Sequence, residues 1–126
     1  MAGSSNKKSF TDLETWKEGH KLVIMVFAIT GSFPKKNASS LIDQMHRSSA
    51  SVTGYIAEGH WIMGYQEKIR AFNQAHSSLT SLKNQFIIAR DVGFIKNKDF
   101  ESLMRQTSIT HQLIQKHISS SKTLKS

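Results

Sequence analysis

Residues 41–59, LIDQMHRSSASVTGYIAEG, carry the pattern that decides the fold. Apolar and small side chains recur through this stretch and just past it at alternating spacings of four and three residues, which is typical of one packed face of a helix. This face comprises Leu41, Met45, Ser48, Val52, Tyr55, Gly59 and Ile62. Its middle is unusually small, so a neighbouring helix can approach closely. The pattern therefore predicts the central helix of a bundle, over about residues 41–62.

The segment before it predicts a first helix over about residues 12–31. Thr11 and Glu14 have the spacing of a capping box, in which two side chains satisfy the free amides at a helix start. The apolar face comprises Leu13, Trp16, His20, Val23, Phe27 and Thr30. We interpret His20 as a packing residue, because a lone helical histidine is more often structural than a ligand. Residues 33–38, around the only proline of the chain, are predicted to connect the two helices.

Two further helices are predicted over about residues 66–92 and 98–118. The former has an unbroken apolar repeat and a terminal glycine, Gly93, suited to a left-handed C-terminal residue. The repeat comprises Phe72, Ala75, Leu79, Leu82, Phe86 and Ala89. In the last helix, Ile109 and Leu113 lie nearly opposite the main apolar face. The predicted fold is therefore all-α, an antiparallel up-down four-helix bundle over residues 10–118, with a flexible basic arm at 1–9 and a flexible basic tail at 119–126.

The composition favours a polyanionic partner. The 126 residues suit one domain, and 17 lysines and arginines against 9 acidic residues give a net charge of +8 and a pI near 9.9. Moreover, no acidic residue lies between Glu67 and Asp91 or after Glu101. Such a surface favours nucleic acid or an acidic protein. The simpler alternative is a soluble basic surface without a dedicated ligand.

Candidate nucleic-acid-binding residues are the cations that the helical pattern places outside the core. They are Lys35, Lys36, Arg47, Arg70, His76, Lys83 and Arg90. His76, Lys83 and Arg90 recur every seven residues and so form one stripe. Such a stripe either covers apolar surface and pairs with acids of another subunit, or follows a phosphate backbone. Arg47 either pairs with an acid or faces phosphate.

Candidate oligomer-interface residues are Glu58, Trp61, Ile109 and Leu113. Ile109 and Leu113 need a partner because they lie away from the main apolar face. Glu58 lies about 16 Å from Arg47 along one helix at 1.5 Å per residue, so the two cannot meet within a subunit. We expect Glu58 to make a contact between helices or subunits. Trp61 could stack on a nucleobase, but we favour a role in capping the core or in a subunit contact.

Several functional classes are disfavoured by what the sequence lacks. It has no cysteine, no phosphate-binding glycine loop, no nucleophile elbow, and no histidine three residues after a glutamate. We therefore expect no enzyme activity, no metal site and no cofactor. No stretch has the length and apolarity of a membrane span, and the N-terminus does not resemble a signal peptide. The expected location is cytoplasmic.

A resemblance to a known family is carried by residues 44–52, QMHRSSASV, followed by Ile56-Ala57-Glu58-Gly59. Residues 10–16 and Phe33-Pro34 extend it to about 10–118. These motifs resemble the four-helix-bundle proteins encoded in intervening sequences of bacterial large-subunit ribosomal RNA genes. The family includes the similar accessory variability proteins of diversity-generating retroelements, which form pentameric rings and accompany a reverse transcriptase. The resemblance implies a ring-like homo-oligomer, a homopentamer, that binds RNA or DNA beside a reverse transcriptase. The alternative is an assembly or adaptor protein with an acidic protein partner.

Overall fold

The computed structural model describes residues 9–125, which form one short 3₁₀ turn and four helices. The elements are the turn Phe10–Asp12, α1 (Glu14–Thr30), α2 (Lys35–Trp61), α3 (Tyr65–Asp91) and α4 (Asn97–Lys125). Each helix packs against the next, and α4 packs against α1. Since the connections 31–34, 62–64 and 92–96 are short, successive helices run antiparallel. The predicted all-α four-helix bundle is confirmed. Except for Ser9, the predicted basic arm lies outside the described residues.

Helix α3 matches its predicted core face. All six residues of the apolar repeat are buried, none more than 1% exposed. Gly93 has φ of +86° and is the left-handed residue that ends the helix. The amide of Phe94 then donates to the carbonyl of Ala89 at 2.8 Å, which turns the chain toward α4.

The predicted face of α1 is wrong except at Thr30, the one predicted residue that is buried. Its buried residues are Thr15, Gly19, Leu22, Val26 and Thr30, whereas His20 is exposed and stacks on Trp16 with ring centroids 4.7 Å apart. A Cβ atom placed on Gly19 would lie 3.1 Å from Cγ2 of Thr53. Helices α1 and α2 therefore approach closely along small side chains, and the rings of Trp16 and His20 lie at the rim of the bundle.

The start of α1 also differs from the predicted capping box. Thr11 lies in the 3₁₀ turn, where its amide donates to Oγ of Ser9 at 3.2 Å. The residue that precedes the α-helix is Leu13, and its side chain makes no capping hydrogen bond. The extra turn satisfies local donors instead, so the α-helix begins only at Glu14.

Helix α2 begins at Lys35, six residues before its predicted start, so the predicted connection over residues 33–38 is wrong beyond Pro34. Pro34 occupies the N-cap position, where its missing amide removes no helical hydrogen bond. Lys35 and Lys36 consequently lie in the first turn of α2 and not in a loop. The first turn is anchored by Ala38, which is 1% exposed.

Helix α4 continues to Lys125, so the flexible tail predicted to begin at residue 119 is wrong as far as 125. The core line of α4 extends into this segment, where Ser121 is buried. Much of that line is polar. Thr107 and Thr110 are buried. Burial is tolerated because their hydroxyls donate to the carbonyls of Leu103 and Gln106, at 2.8 and 3.0 Å respectively.

The α1–α4 contact closes the bundle through two polar links that span most of the chain. His117 Nε2 lies 2.9 Å from Thr15 Oγ1, a hydrogen bond between residues 102 positions apart. Gln106 Nε2 donates to Glu18 Oε1 at 2.8 Å, across 88 positions. This bond and the nearby Lys21 ammonium lower the pKa of Glu18.

Candidate nucleic-acid interface

Acidic residues are distributed unevenly around the bundle. The 3₁₀ turn, α1 and α2 together carry Asp12, Glu14, Glu18, Asp43 and Glu58. In contrast, α3 carries none between Glu67 and Asp91, and α4 carries none after Glu101. Since α3 and α4 are neighbours, the two acid-free segments form one side of the molecule. We call this side the basic face and define it by His76, Lys83, Arg105 and His111. The predicted residue Arg70 is exposed on α3, but at 100° per residue it projects about 140° away from Lys83 and lies outside this face.

The centre of the basic face is a contact between two histidines. The ring centroids of His76 on α3 and His111 on α4 are 4.8 Å apart, and both side chains are half-buried. Burial lowers the pKa of His111, and the positive charges of His76 and Lys83 lower it further. The antiparallel register of α3 and α4 therefore concentrates three basic groups. Sequence reasoning did not include His111 among the candidate residues, because its partner on α3 is set by this register.

Arg90 lies at the end of the basic face and is already engaged. Its guanidinium carbon lies 4.3 Å from the centroid of the Phe100 ring, and its Nε donates to Oδ1 of Asp91 at 3.0 Å. The predicted stripe of His76, Lys83 and Arg90 thus follows the edge of α3 that meets α4. However, Arg90 is partly neutralised, so the freer cations of this side are Lys83 and Arg105.

Three of the predicted nucleic-acid-binding residues lie on α2, away from the basic face. Lys35 and Lys36 are exposed at one end of the bundle, in the first turn of α2. Arg47 is exposed on α2 and forms no ion pair with any residue in the range 9–125. The structure therefore separates the seven predicted residues into an α3 group and an α2 group.

The four predicted interface residues lie on two sides of the bundle. Glu58 and Trp61 are exposed near the end of α2, with Trp61 45% exposed and its ring edge toward His60. Ile109 on α4 is 41% exposed. Leu113 is half-buried, because it lines a groove with Leu13 and Glu14, so part of its surface is covered within the subunit. Helices α2 and α4 are diagonal partners, which places the two pairs on opposite sides.

A half-buried histidine, His117, lies at the end of the bundle formed by the start of α3 and the second half of α4. Its ring stacks on Phe72 with centroids 4.6 Å apart and planes 3° from parallel. Burial lowers the pKa of His117, and so do the positive charges of Lys68, His60 and Lys116. Its neutral form is therefore the one that the fold favours.

We expect the protein to lose stability as the pH falls below the ordinary histidine pKa of about 6.5, because the unfolded chain then binds a proton that folded His117 resists. His111 contributes in the same direction. The check is urea unfolding of the wild type and His117→Gln between neutral pH and pH 5.5. The variant should lose less stability on acidification, while His20→Gln, at an exposed site, should behave as the wild type. Equal losses in all three proteins would contradict the assignment to His117.

Neither a metal site nor a membrane helix is found in the described part of the chain. Within residues 9–125, no three side chains of histidine, aspartate or glutamate cluster as a metal ion requires. The four helices also lack the combination of length and apolarity that crossing a membrane demands.

Comparison with known proteins gives one family match. Residues 11–116 match the model of the family described as 23S rRNA-intervening sequence protein. The matched range runs from the 3₁₀ turn into the second half of α4, and so includes every residue that defines the basic face. No curated protein matches the chain.

Proposed function

The chain belongs to the 23S rRNA-intervening sequence protein family, and on that premise we propose that it is a non-catalytic nucleic-acid-binding protein that works as a homo-oligomer. The basic face is the observation that carries this proposal. Lys83 and Arg105 are exposed there, and neither forms an ion pair within residues 9–125. Exposed cations that are not paired with carboxylates favour phosphate.

The dimensions of the basic face suit contact with a nucleic-acid backbone. Along α3, His76 and Lys83 are separated by seven helical residues, about 10 Å at 1.5 Å per residue. That length corresponds to about three base-pair steps of duplex DNA at 3.4 Å each. The cations are displayed on the outside of two helices and not in a deep cleft. This arrangement supports recognition through charge and backbone shape, with no element that reads base edges.

A salt series tests the nucleic-acid role. Purified protein is titrated with structured RNA, duplex DNA and an RNA–DNA hybrid at several salt concentrations, and its oligomer mass is recorded in the same buffers. If the basic face contacts about four phosphates of duplex DNA, log affinity should fall with log salt at a slope of about −3.6. A preference among the three would identify the substrate. Affinity that is weak at physiological salt for all three would overturn the proposal.

The alternative role is that of an adaptor, in which the basic face meets an acidic protein. Weak nucleic-acid binding in the salt series would favour it. We place the nucleic-acid role first because the resemblance to retroelement accessory proteins supports work beside a reverse transcriptase. In that setting, the ligand is the RNA template, the complementary DNA or their hybrid.

We further propose a ring-like homo-oligomer, a homopentamer by the same resemblance. Support comes from the two exposed sites on opposite sides of the bundle, with Glu58 and Trp61 on α2 and Ile109 on α4. An interface that joins two different surfaces repeats head to tail, and it forms a ring when the rotation from one subunit to the next closes. A two-fold dimer would use one surface on both subunits.

Replacing Ile109 with glutamate should dissociate this oligomer. The side chain is 41% exposed, so the charge is tolerated in a free subunit but costly once an apolar neighbour covers it. Light scattering should show a lower mass while circular dichroism stays helical. Ile24→Glu, at an exposed position on α1, is the matched control and should keep the wild-type mass. An unchanged mass for Ile109→Glu would reject α4 as an interface.

A further inference from the structure

We propose that His76, Lys83 and His111 form a phosphate-binding site that holds nucleic acid more tightly as the pH falls. This inference rests on the proposed nucleic-acid-binding function and adds a site and a mode of regulation to it. Its ligand is one phosphodiester group of the backbone. The site joins α3 to α4 at the centre of the basic face.

The geometry of the site comes from the register of two helices. The ring centroids of His76 and His111 lie 4.8 Å apart and the ring planes are tilted by 52°, so the two rings do not stack face to face. Both rings are half-buried, which limits their motion, while Lys83 is exposed two helical turns from His76. A phosphate oxygen can accept hydrogen bonds from imidazole N–H groups and from the lysine ammonium.

The charged groups around the site are all basic. From α3 these are His76 and Lys83, and from α4 the group is His111 itself. No group of α1 or α2 contributes to the shift of the His111 pKa. The uncharged polar residues near the ring positions on the two helices include Thr80 and Ser108. The folded protein therefore places two imidazoles beside a lysine without supplying any carboxylate to balance them.

This imbalance favours an anion over a metal ion. Two imidazoles could begin a transition-metal site, but the nearby ammonium of Lys83 repels a cation and the described residues provide no third ligand. A phosphodiester provides the negative charge that is missing. It also screens the two rings from each other and from Lys83, which permits both to be protonated.

The direction of the pH effect follows from linkage. In the free protein, burial and the neighbouring positive charges lower the pKa of His111 and so favour its neutral ring. A bound phosphate favours the protonated ring and raises that pKa. The complex then takes up a proton that the free protein does not hold, and affinity increases as the pH falls. A rise of one pKa unit on binding corresponds to a limiting change of about tenfold in affinity.

The test compares nucleic-acid affinity at pH 7.5 and pH 6.0, at constant ionic strength, by fluorescence anisotropy with a labelled DNA duplex. The wild type should bind about three- to tenfold more tightly at the lower pH. His76→Gln/His111→Gln should lose most of this gain. His20→Gln, which removes an exposed histidine of α1, should retain the gain. Circular dichroism at both pH values establishes that each variant is folded.

An NMR titration of the wild-type histidine side chains gives a second readout that needs no variant. The pKa of His111 should rise when the duplex is added. An equal pH gain in the wild type and the double variant, or an unchanged His111 titration in the complex, overturns this site but leaves nucleic-acid binding standing. Absence of binding at both pH values overturns the proposed function together with the site.

Discussion

Replacing Phe72 with alanine should remove about 3–5 kcal/mol of folding stability, the usual cost of deleting a buried aromatic ring. The Phe72 side chain is 1% exposed. One face stacks on the ring of His117 from α4, and its edge lies against Gly59 of α2. The change therefore opens a cavity among three helices. A domain of this size has a total stability of only about 5–15 kcal/mol, so the urea midpoint should fall by a large fraction.

Gly59 provides a sharper test of the same contact. A Cβ atom at Gly59 would lie 2.9 Å from Cε2 of Phe72, so Gly59→Ala alone should destabilise through overpacking, by about 1–3 kcal/mol. In Phe72→Ala the extra methyl group would enter the vacated space. The double variant should therefore be more stable than the sum of the two single changes predicts. Additive losses would show that the ring and the glycine do not compete for one space. Phe27→Ala, at an exposed ring, is the control and should cost far less than Phe72→Ala.

Reversing two charges on the basic face should produce the largest functional change. Each phosphate contact contributes about 0.9 log units of affinity between 1 M and 0.1 M salt on duplex DNA. The variant Lys83→Glu/Arg105→Glu loses two such contacts. It should bind duplex DNA about 60-fold more weakly at 0.1 M salt, and the slope of log affinity against log salt should become shallower by about 1.8. Both residues are exposed, so stability should change by no more than about 0.5 kcal/mol per site.

The matched control is Lys35→Glu/Lys36→Glu, which changes the net charge by the same amount at the end of the bundle. It should bind far better than the basic-face variant, because Lys35 and Lys36 lie away from the basic face. It should also stay folded, since an acidic first turn suits the dipole of α2. Equal weakening by both variants would mean that nucleic acid responds to total charge and not to the basic face. Both the affinity and the slope of log affinity against log salt should be compared between variants. A change in affinity alone can arise from long-range electrostatic attraction.

The fold was predictable where apolar side chains alone form the core. Helix α3 has six such residues, and all of them are buried. On α1 and α4 the core line instead runs through Thr15, Gly19 and Thr107. Glycine is small, and the two hydroxyls are satisfied by hydrogen bonds, that of Thr107 within its own helix and that of Thr15 with His117. Hydrophobic periodicity gives such residues little weight and so selected the aromatic edge of α1. The helix ends were missed for a related reason, since tertiary packing at Ala38 and Ser121 extends α2 and α4 beyond their strongest patterns.

The candidate interface was only partly accessible to sequence reasoning. The two acid-free segments are visible in the sequence, and His76 and Lys83 lie within the first of them. The sequence did not reveal that His111 faces His76, because that contact depends on the register across two helices. It also grouped Lys35, Lys36 and Arg47 with the α3 cations. Their separation follows from the position of α2, which packs beside α1 and α3 and lies diagonal to α4.

The order of the helices around the bundle has a kinetic consequence. Three of the four helix pairs in contact are consecutive in the chain and are joined by connections of residues 31–34, 62–64 and 92–96. Their contacts form after short loops close, and a topology rich in local contacts folds rapidly. The α1–α4 pair is the exception, since its His117–Thr15 link joins residues 102 positions apart. The cost in chain entropy of closing a long loop is therefore concentrated in this one pair, where the two ends of the domain must find each other.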